Sequence, residues 1–292
     1  MKNAEFKKIS GGYIHKTLDE LKVEMGAKLP KTLENLDKAI EKYNTNGKVN
    51  PDFVADRDNI EEVLRKMFEE NDLGMDISGK LLDSVFENGF YNTFQSGTSD
   101  GYCGSRSTKG KIPTSHSRLR CAHRLFGLGR DLDKDQLKRS EYEKYGHLLD
   151  HNKLDAFKNN RTHYGTGDSG RENQVQIRFK RENVTCTWTF NDSLGERYQP
   201  TLVSDPKIES LDYIDKAYKP IASDTKKLYE WQQKKHTSYV ELQYHGDLTI
   251  DDVESIVFAR NPERVISTSL ISKLKSKGIE LYYYDGSNIV AY

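Results

Sequence analysis

Three stretches of this chain alternate between apolar and polar residues with a period of two, at 174–179, 184–190 and 239–245. Successive side chains of a β-strand point to opposite faces, so this period predicts strands that place one face on a core. The first two stretches are predicted to form a hairpin with its turn at 180–183. Aromatic and β-branched residues predict further strands at 90–96, 256–259 and 279–284. The chain is therefore expected to fold around a sheet.

The N-terminal part of the sequence has a helical period instead. In the region 1–48 apolar residues recur at helical spacing, and Pro30 is placed to open a second helix at its first turn. Two more amphipathic helices are predicted at 60–68 and 77–86, the second ended by Asn88-Gly89. Further helices are predicted at 132–145, 208–218, 225–234 and 269–277. The predicted fold class is α+β, with a helical N-terminal part followed by a mixed β body.

Composition argues against several classes of function. The 45 basic residues are balanced by 45 acidic ones, so the protein as a whole is not expected to bind a nucleic-acid backbone. No apolar run has the length of a membrane-spanning helix, and the N-terminus lacks the apolar segment of a secretory signal. The three cysteines lie far apart, which predicts reduced thiols. Neither nucleic acid nor membrane is expected as a partner, and the sequence does not indicate an oligomeric state.

Two local motifs match known sites by their letters but not by their context. Residues 165–170 fit GxGxxG, yet the dinucleotide fingerprint follows a strand and opens a helix. Here a polar loop precedes the motif and a predicted strand follows it. A structural zinc site favours two tight pairs of ligands, and only one tight pair occurs among the candidates Cys103, His116, Cys121 and His123. No metal site is predicted.

The strand at 239–245 carries the side chains with the clearest chemical potential. Its alternation puts Glu241 and Gln243 on one face, so that a carboxylate and a carboxamide lie side by side. Residues 91–99 form an aromatic segment that runs into a hydroxyl-rich turn. Arg57 ends a short apolar-to-charged segment, where a guanidinium would be able to hold a phosphate.

With these residues the sequence resembles a family of bacterial ADP-ribosyltransferase-like proteins, which includes secreted effectors that ADP-ribosylate threonine of host ubiquitin. Five segments match motifs of the family in the same order: FVADR at 53–57, FQSGTSDG at 94–101, KYGHL at 144–148, TWTFNDS at 187–193 and YVELQYHG at 239–246. The sequence departs from the motifs of the family at two places. Gln95 occupies the place of an acid, and Val54-Ala55 replace a His-Pro pair.

The resemblance implies an ADP-ribosyltransferase-like catalytic domain at 49–292, with a helical insert around 105–235 that would recognise the target. NAD+ would be the co-substrate. Glu241 would stabilise the positive charge that develops on the ribose as nicotinamide leaves, and Gln243 would contact the acceptor. Tyr145 and Thr187 are candidate supporting residues, with packing in the core as the alternative role. The residues implied in NAD+ binding are Arg57 for the diphosphate, Phe94 for stacking on nicotinamide, and Gln95, Ser96, Gly97, Thr98 and Ser99 in the hydroxyl-rich turn.

The resemblance leaves the acceptor and the reaction partly open. Arginine is the first expectation for the acceptor, because a Glu-x-Gln pair resembles the Glu-x-Glu pair of arginine-modifying members, and threonine is the second. An NAD+ glycohydrolase and a catalytically inactive partner-binding module are the alternative functions. The resemblance also implies a protein substrate of a host cell, reached through a specialised secretion system and modified in the host cytosol.

Overall fold

The computed structural model describes residues 57–92, 143–152, 173–190, 201–204, 206 and 240–292. These residues form three α-helices: α1 (Arg57–Glu69), α2 (Leu82–Asn88) and α3 (Thr268–Ser276). Their strands are β1 (Asn71–Ser78), β2 (Lys144–Asp150), β3 (Gln174–Phe179), β4 (Thr185–Phe190), β5 (Thr201–Leu202), β6 (Val240–His245), β7 (Val253–Phe258), β8 (Glu280–Tyr284) and β9 (Ile289–Ala291).

The strands of the described residues form one sheet in the order β5-β4-β6-β2-β1-β3-β7-β8-β9. Neighbouring strands run antiparallel except for β7 and β8, which are parallel and are connected through α3. A parallel pair needs such a crossover, because the chain must return to the same end of the sheet. The predicted α+β class with a mixed sheet is confirmed.

The predicted hairpin between 174–179 and 184–190 is wrong, although both strands exist. β3 pairs with β1 and β7, whereas β4 pairs with β5 and β6. The turn predicted at 180–183 contains a short 3-10 turn at Arg181–Asn183, which leads the chain from one part of the sheet to another. Closeness in sequence suggested a pairing that the order of the sheet does not contain.

Two predicted helices overlap strands. The helix predicted at 77–86 begins only at Leu82, because Ile77 and Ser78 belong to β1. Its predicted end is confirmed, since Gly89 takes a φ of 75° directly after α2. The helix predicted at 132–145 is wrong at its end, where Lys144 and Tyr145 open β2.

The remaining predictions of secondary structure divide into three groups. The helices at 60–68 and 269–277 are confirmed as α1 and α3, and the strands at 239–245, 256–259 and 279–284 are confirmed as β6, β7 and β8. At 90–96 the described residues Phe90, Tyr91 and Asn92 have no strand conformation. The predictions at 1–48, 132–142 and 208–234 lie outside the described residues.

The range 105–235, assigned to a helical insert, contributes strands to the sheet. β2, β3, β4 and β5 all lie within this range, and they pair with β1, β6 and β7 on either side of it. These stretches therefore belong to the sheet, and the domain boundaries stay a prediction.

One face of the sheet is apolar and packs against the helices. On this face Phe68 of α1 packs on Trp188 of β4, with ring centroids 5.0 Å apart, and both side chains are buried. The core also takes Leu64 from α1, Val85 from α2 and Leu274 from α3. Burial of such side chains contributes on the order of 2 kcal/mol each, so this face is the main source of stability in the described part of the chain.

A glycine allows the centre of this face to pack closely. A Cβ atom on Gly146 of β2 would collide with the carbonyl oxygen of Gly74 and lie 2.7 Å from Cε2 of Tyr244. The Tyr244 ring reaches across β2, and its hydroxyl donates a hydrogen bond of 3.1 Å to the carbonyl oxygen of Gly74. The absence of a side chain at Gly146 therefore lets β6 contact β1 across the strand between them.

Candidate active site

The opposite face of the sheet is polar and is also buried. On β6 the residues Glu241, Gln243 and His245 point to this face, and their exposed fractions are 2%, 0% and 8%. The sequence predicted their common face from the alternation with Val240, Leu242 and Tyr244. Alternation alone does not distinguish a buried polar face from a solvated one, so their burial is information that the structure adds.

Gln243 fixes the position of Glu241. Its Nε2 donates to Glu241 Oε1 at 3.1 Å and to Thr189 Oγ1 at 3.1 Å, while its Oε1 accepts from the Thr187 hydroxyl at 3.0 Å. The carboxylate dictates this orientation of the amide, because a flipped Gln243 would place its oxygen against Glu241. Both ends of the carboxamide are therefore engaged in holding the carboxylate.

His245 extends this hydrogen-bonded chain. Its Nε2 lies 2.9 Å from the Thr187 hydroxyl, which already donates its proton to Gln243. The hydroxyl must therefore accept from His245, which assigns the proton of the imidazole to Nε2. The direction of donation thus runs from His245 through Thr187 and Gln243 to Glu241. The supporting role of Thr187 stays a prediction.

His147 of β2 is the cross-strand partner of Glu241. Residues opposite each other in an antiparallel pair have Cβ atoms about 5 Å apart on one face, so the imidazole and the carboxylate are neighbours. Nε2 of His147 also lies 3.5 Å from Oδ2 of Asp76 on β1. The predicted supporting residue Tyr145 is the partner of Gln243, and its hydroxyl donates to the Glu143 carboxylate.

Asp76 titrates far from its ordinary range. Burial raises the pKa of its carboxyl to about 8, and the opposing effects of the Arg178 charge and a 3.0 Å hydrogen bond from Gln174 Nε2 are smaller. The group is therefore predominantly protonated at neutral pH. In this neutral form the carboxyl has an O–H group and is able to donate a hydrogen bond.

Arg178 of β3 is the buried cation of this face. Its Nη1 pairs with the Asp72 carboxylate and donates to the carbonyl oxygen of Asp150 at 3.0 Å. Burial lowers the pKa of the guanidinium, and the charges of Asp72, Asp76 and Asp150 act against this effect. An arginine stays charged despite such a shift.

The predicted site residues lie partly outside this region. Glu241 and Gln243 are brought together on β6. Arg57 is the first residue of α1, and the structure does not describe its side chain. Phe94, Gln95, Ser96, Gly97, Thr98 and Ser99 lie outside the described residues, so their roles stay predictions.

Several residues of the polar face were not predicted as functional, namely Asp72, Asp76, His147, Gln176 and Arg178. They stand on strands that are separated widely in sequence: Asp72 and its partner Arg178 are 106 residues apart. The one available signal was the alternation of Gln174, Gln176 and Arg178 with apolar residues, which is also typical of a solvent-facing strand.

Comparison of the chain with known proteins assigns it to no family. No protein-family model matches the chain, and no curated protein matches it.

Metal ligands, membrane-spanning helices and free thiols were sought among the described residues. In that part of the chain no three histidine, cysteine or acidic side chains are grouped so that they would hold a metal ion. None of the helices within it is long and apolar enough to span a membrane. Cys186 is a free thiol, and burial raises its pKa far above the ordinary range.

Proposed function

We propose that the protein is a mono-ADP-ribosyltransferase with an ADP-ribosyltransferase-like fold, and that Glu241 is its catalytic carboxylate. The observation that carries the proposal is the buried Glu241 carboxylate, held by Gln243 on a polar face of the sheet. A carboxylate in a region of low dielectric constant acts strongly on a positive charge that develops beside it. Because Gln243 fixes its position, little reorganisation would be needed during the reaction.

The proposed reaction breaks the bond between nicotinamide and C1′ of the ribose in NAD+. The electron pair of this bond leaves with neutral nicotinamide, and positive charge develops on the ribose. A nucleophilic side chain of the target forms the new bond to C1′ and loses its proton. Glu241 stabilises the charged ribose, and Gln243 acts as a positioning residue for Glu241 in addition to its predicted contact with the acceptor.

The substrate side of the proposal rests on the resemblance. Arginine of a host protein is the first choice of acceptor and threonine the second. Arg57, Phe94 and the turn at 95–99 are the proposed NAD+-binding residues. The host cytosol is the proposed place of action.

Labelled NAD+ and a eukaryotic lysate test the proposal. Wild-type protein is expected to label at least one lysate protein, and Glu241→Gln is expected to reduce the rate about 100- to 1,000-fold. Glu254→Gln is the matched control, because Glu254 is an exposed glutamate on β7. Far-UV circular dichroism must show that all three proteins are folded.

The outcomes separate the candidate functions. Equal labelling by wild type and Glu241→Gln would remove Glu241 from the mechanism. Release of nicotinamide without a labelled protein would favour an NAD+ glycohydrolase. If neither labelling nor nicotinamide release occurs and NAD+ does not bind, the result would favour a partner-binding module.

A further inference from the structure

β1 and β3 hold a compact group of polar side chains on the buried polar face, beyond the neighbours of Glu241. Three residues of β1 lie opposite polar residues of β3: Asp76 opposite Gln176, Ser78 opposite Gln174, and Gly74 opposite Arg178. Ser78, Gln174, Gln176 and Arg178 are at most 3% exposed, and the side chain of Asp76 is 1% exposed. Cross-strand and next-nearest positions on one face lie within about 5–8 Å of each other, so the five side chains form one cluster.

This cluster contains most of the unsatisfied polar atoms in the described part of the chain. The buried atoms with no hydrogen-bond partner there are Asp76 Oδ1, Ser78 Oγ, Gln174 Oε1, Gln176 Oε1 and Nε2, and Arg178 Nε and Nη2. Folded proteins pair more than nine-tenths of their buried polar atoms. So many unpaired atoms on two adjacent strands would be costly for a marginally stable protein. The concentration on one patch indicates that a bound group pairs with them.

The geometry of Arg178 indicates the chemistry of that group. Nη1 is occupied by Asp72 and by the carbonyl oxygen of Asp150, whereas Nε and Nη2 have no partner among the described residues. These two nitrogens form one edge of the planar guanidinium, and that edge binds two oxygens of a carboxylate or phosphate at once. Asp72 compensates the charge of Arg178 but contacts only Nη1, so the Nε and Nη2 donors remain for a ligand.

The other members of the cluster complement an oxyanion. The Gln176 amide supplies a donor at the next position on the same face of β3 as Arg178. Ser78 and Gln174 lie about 13 Å further along the strands than the Gly74–Arg178 pair, so their polar atoms, with the side-chain oxygen of Gln176, are able to pair with other polar groups of the same ligand. Asp76 would repel an anion if it were ionised. Because burial raises its pKa to about 8, this carboxyl is mostly neutral at pH 7 and is able to donate instead.

We infer that Arg178, Gln176, Ser78, Gln174 and Asp76 form a binding site for a small oxyanion-bearing ligand, whose carboxylate or phosphate group sits on the Nε and Nη2 edge of Arg178. The site is separate from Glu241. β3 and β6 are three strand spacings apart in the sheet, which corresponds to about 14 Å. The inference does not depend on the proposed transferase activity.

Thermal unfolding in the presence of two probes, inorganic phosphate and acetate, tests the site without NAD+. Each probe is titrated into wild-type protein against sodium chloride at equal ionic strength. A saturable rise of the Tm with one probe is expected, and the probe that gives it identifies the oxyanion. Gln176→Leu removes two partners but leaves the Arg178–Asp72 pair intact, and it is expected to weaken the apparent affinity at least tenfold.

Further variants keep the test decisive if Gln176→Leu does not fold. Arg178→Lys keeps a positive charge beside Asp72 but removes the Nε and Nη2 edge, and it is expected to weaken binding severalfold. Ser269→Ala, at an exposed serine of α3, is the matched control and should bind as wild type does. Glu241→Gln should also titrate as wild type does, so a failure here is distinguishable from failure of the transferase proposal. The inference is overturned if neither probe gives a saturable rise, or if wild type and the folded cluster variants respond equally.

Discussion

The protonated state of Asp76 predicts an unusual loss of stability as the pH rises through neutrality toward 8. Its carboxyl has an ordinary pKa of 3.8, and burial raises the pKa in the folded protein to about 8. Between these values the folded protein keeps a proton that the unfolded chain releases. The contribution of Asp76 to stability is therefore complete below the lower pKa and is lost as the pH rises through the upper one. Most buried carboxyl groups with a cationic partner behave in the opposite way.

The size of the effect follows from linkage. Each pH unit inside the window costs up to about 1.4 kcal/mol of the free energy of unfolding. From pH 6 to pH 8 the loss due to Asp76 is about 2 kcal/mol, and above the folded pKa it levels off. The groups that face Asp76 include His147 on β2 and Arg178 on β3. The Arg178 charge lowers the pKa of Asp76, but the effect of burial is larger.

Asp76→Asn isolates this effect, because the amide has nearly the same shape and does not titrate. Urea unfolding followed by circular dichroism gives the free energy of unfolding of both proteins from pH 6 to pH 9, in a buffer without phosphate or carboxylate. The difference between variant and wild type cancels the titrating groups that do not contact Asp76. Over this pH range the free energy of unfolding of the variant, relative to that of wild type, is expected to rise by about 2 kcal/mol. Parallel pH profiles would refute the assignment of a raised pKa to Asp76.

Two further predictions concern the stability of the sheet. Asp72→Asn is expected to cost about 3 kcal/mol in urea unfolding, because it removes the carboxylate that contacts the buried Arg178 charge. The control Glu62→Gln breaks only exposed ion pairs on α1 and should leave the free energy of unfolding nearly unchanged. Equal effects of the two variants would contradict a special role of the buried pair. Gly146→Ala is expected to cost at least about 2 kcal/mol, because the new methyl group would overlap the backbone oxygen of Gly74, which is unable to move aside; an unchanged Tm would refute that packing.

The sequence predicted those elements whose local pattern is unambiguous. β6 alternates over its whole length, and α1 and α3 have apolar residues at helical spacing. β1 was missed because Asn71–Ser78 contains two aspartates and a glycine, which are depleted in strands. The packing around β1 outweighs this low strand propensity. Gly74 lies between β2 and β3, and a glycine is needed there because a Cβ atom would collide with Leu149 and with the backbone of Ile177.

The candidate site was predictable only where its residues share one strand. Glu241 and Gln243 are two positions apart, so alternation places them together. His147 joins them only because β2 pairs with β6, and Arg178 meets Asp72 only because β1 pairs with β3. These pairings connect segments about a hundred residues apart, and no local pattern determines which strands become neighbours in a sheet.

The burial of both faces of β6 has a consequence for the fidelity of folding. All six of its residues are buried, apolar on one side and polar on the other. In an ordinary half-exposed strand, a slip by one residue exchanges core and solvent. Here it would place Glu241, Gln243 and His245 among the helices without partners, and Val240, Leu242 and Tyr244 among groups that need hydrogen bonds. A slipped register therefore costs free energy on both faces of β6. The buried polar face, which holds the candidate site, thus also selects the correct register of β6.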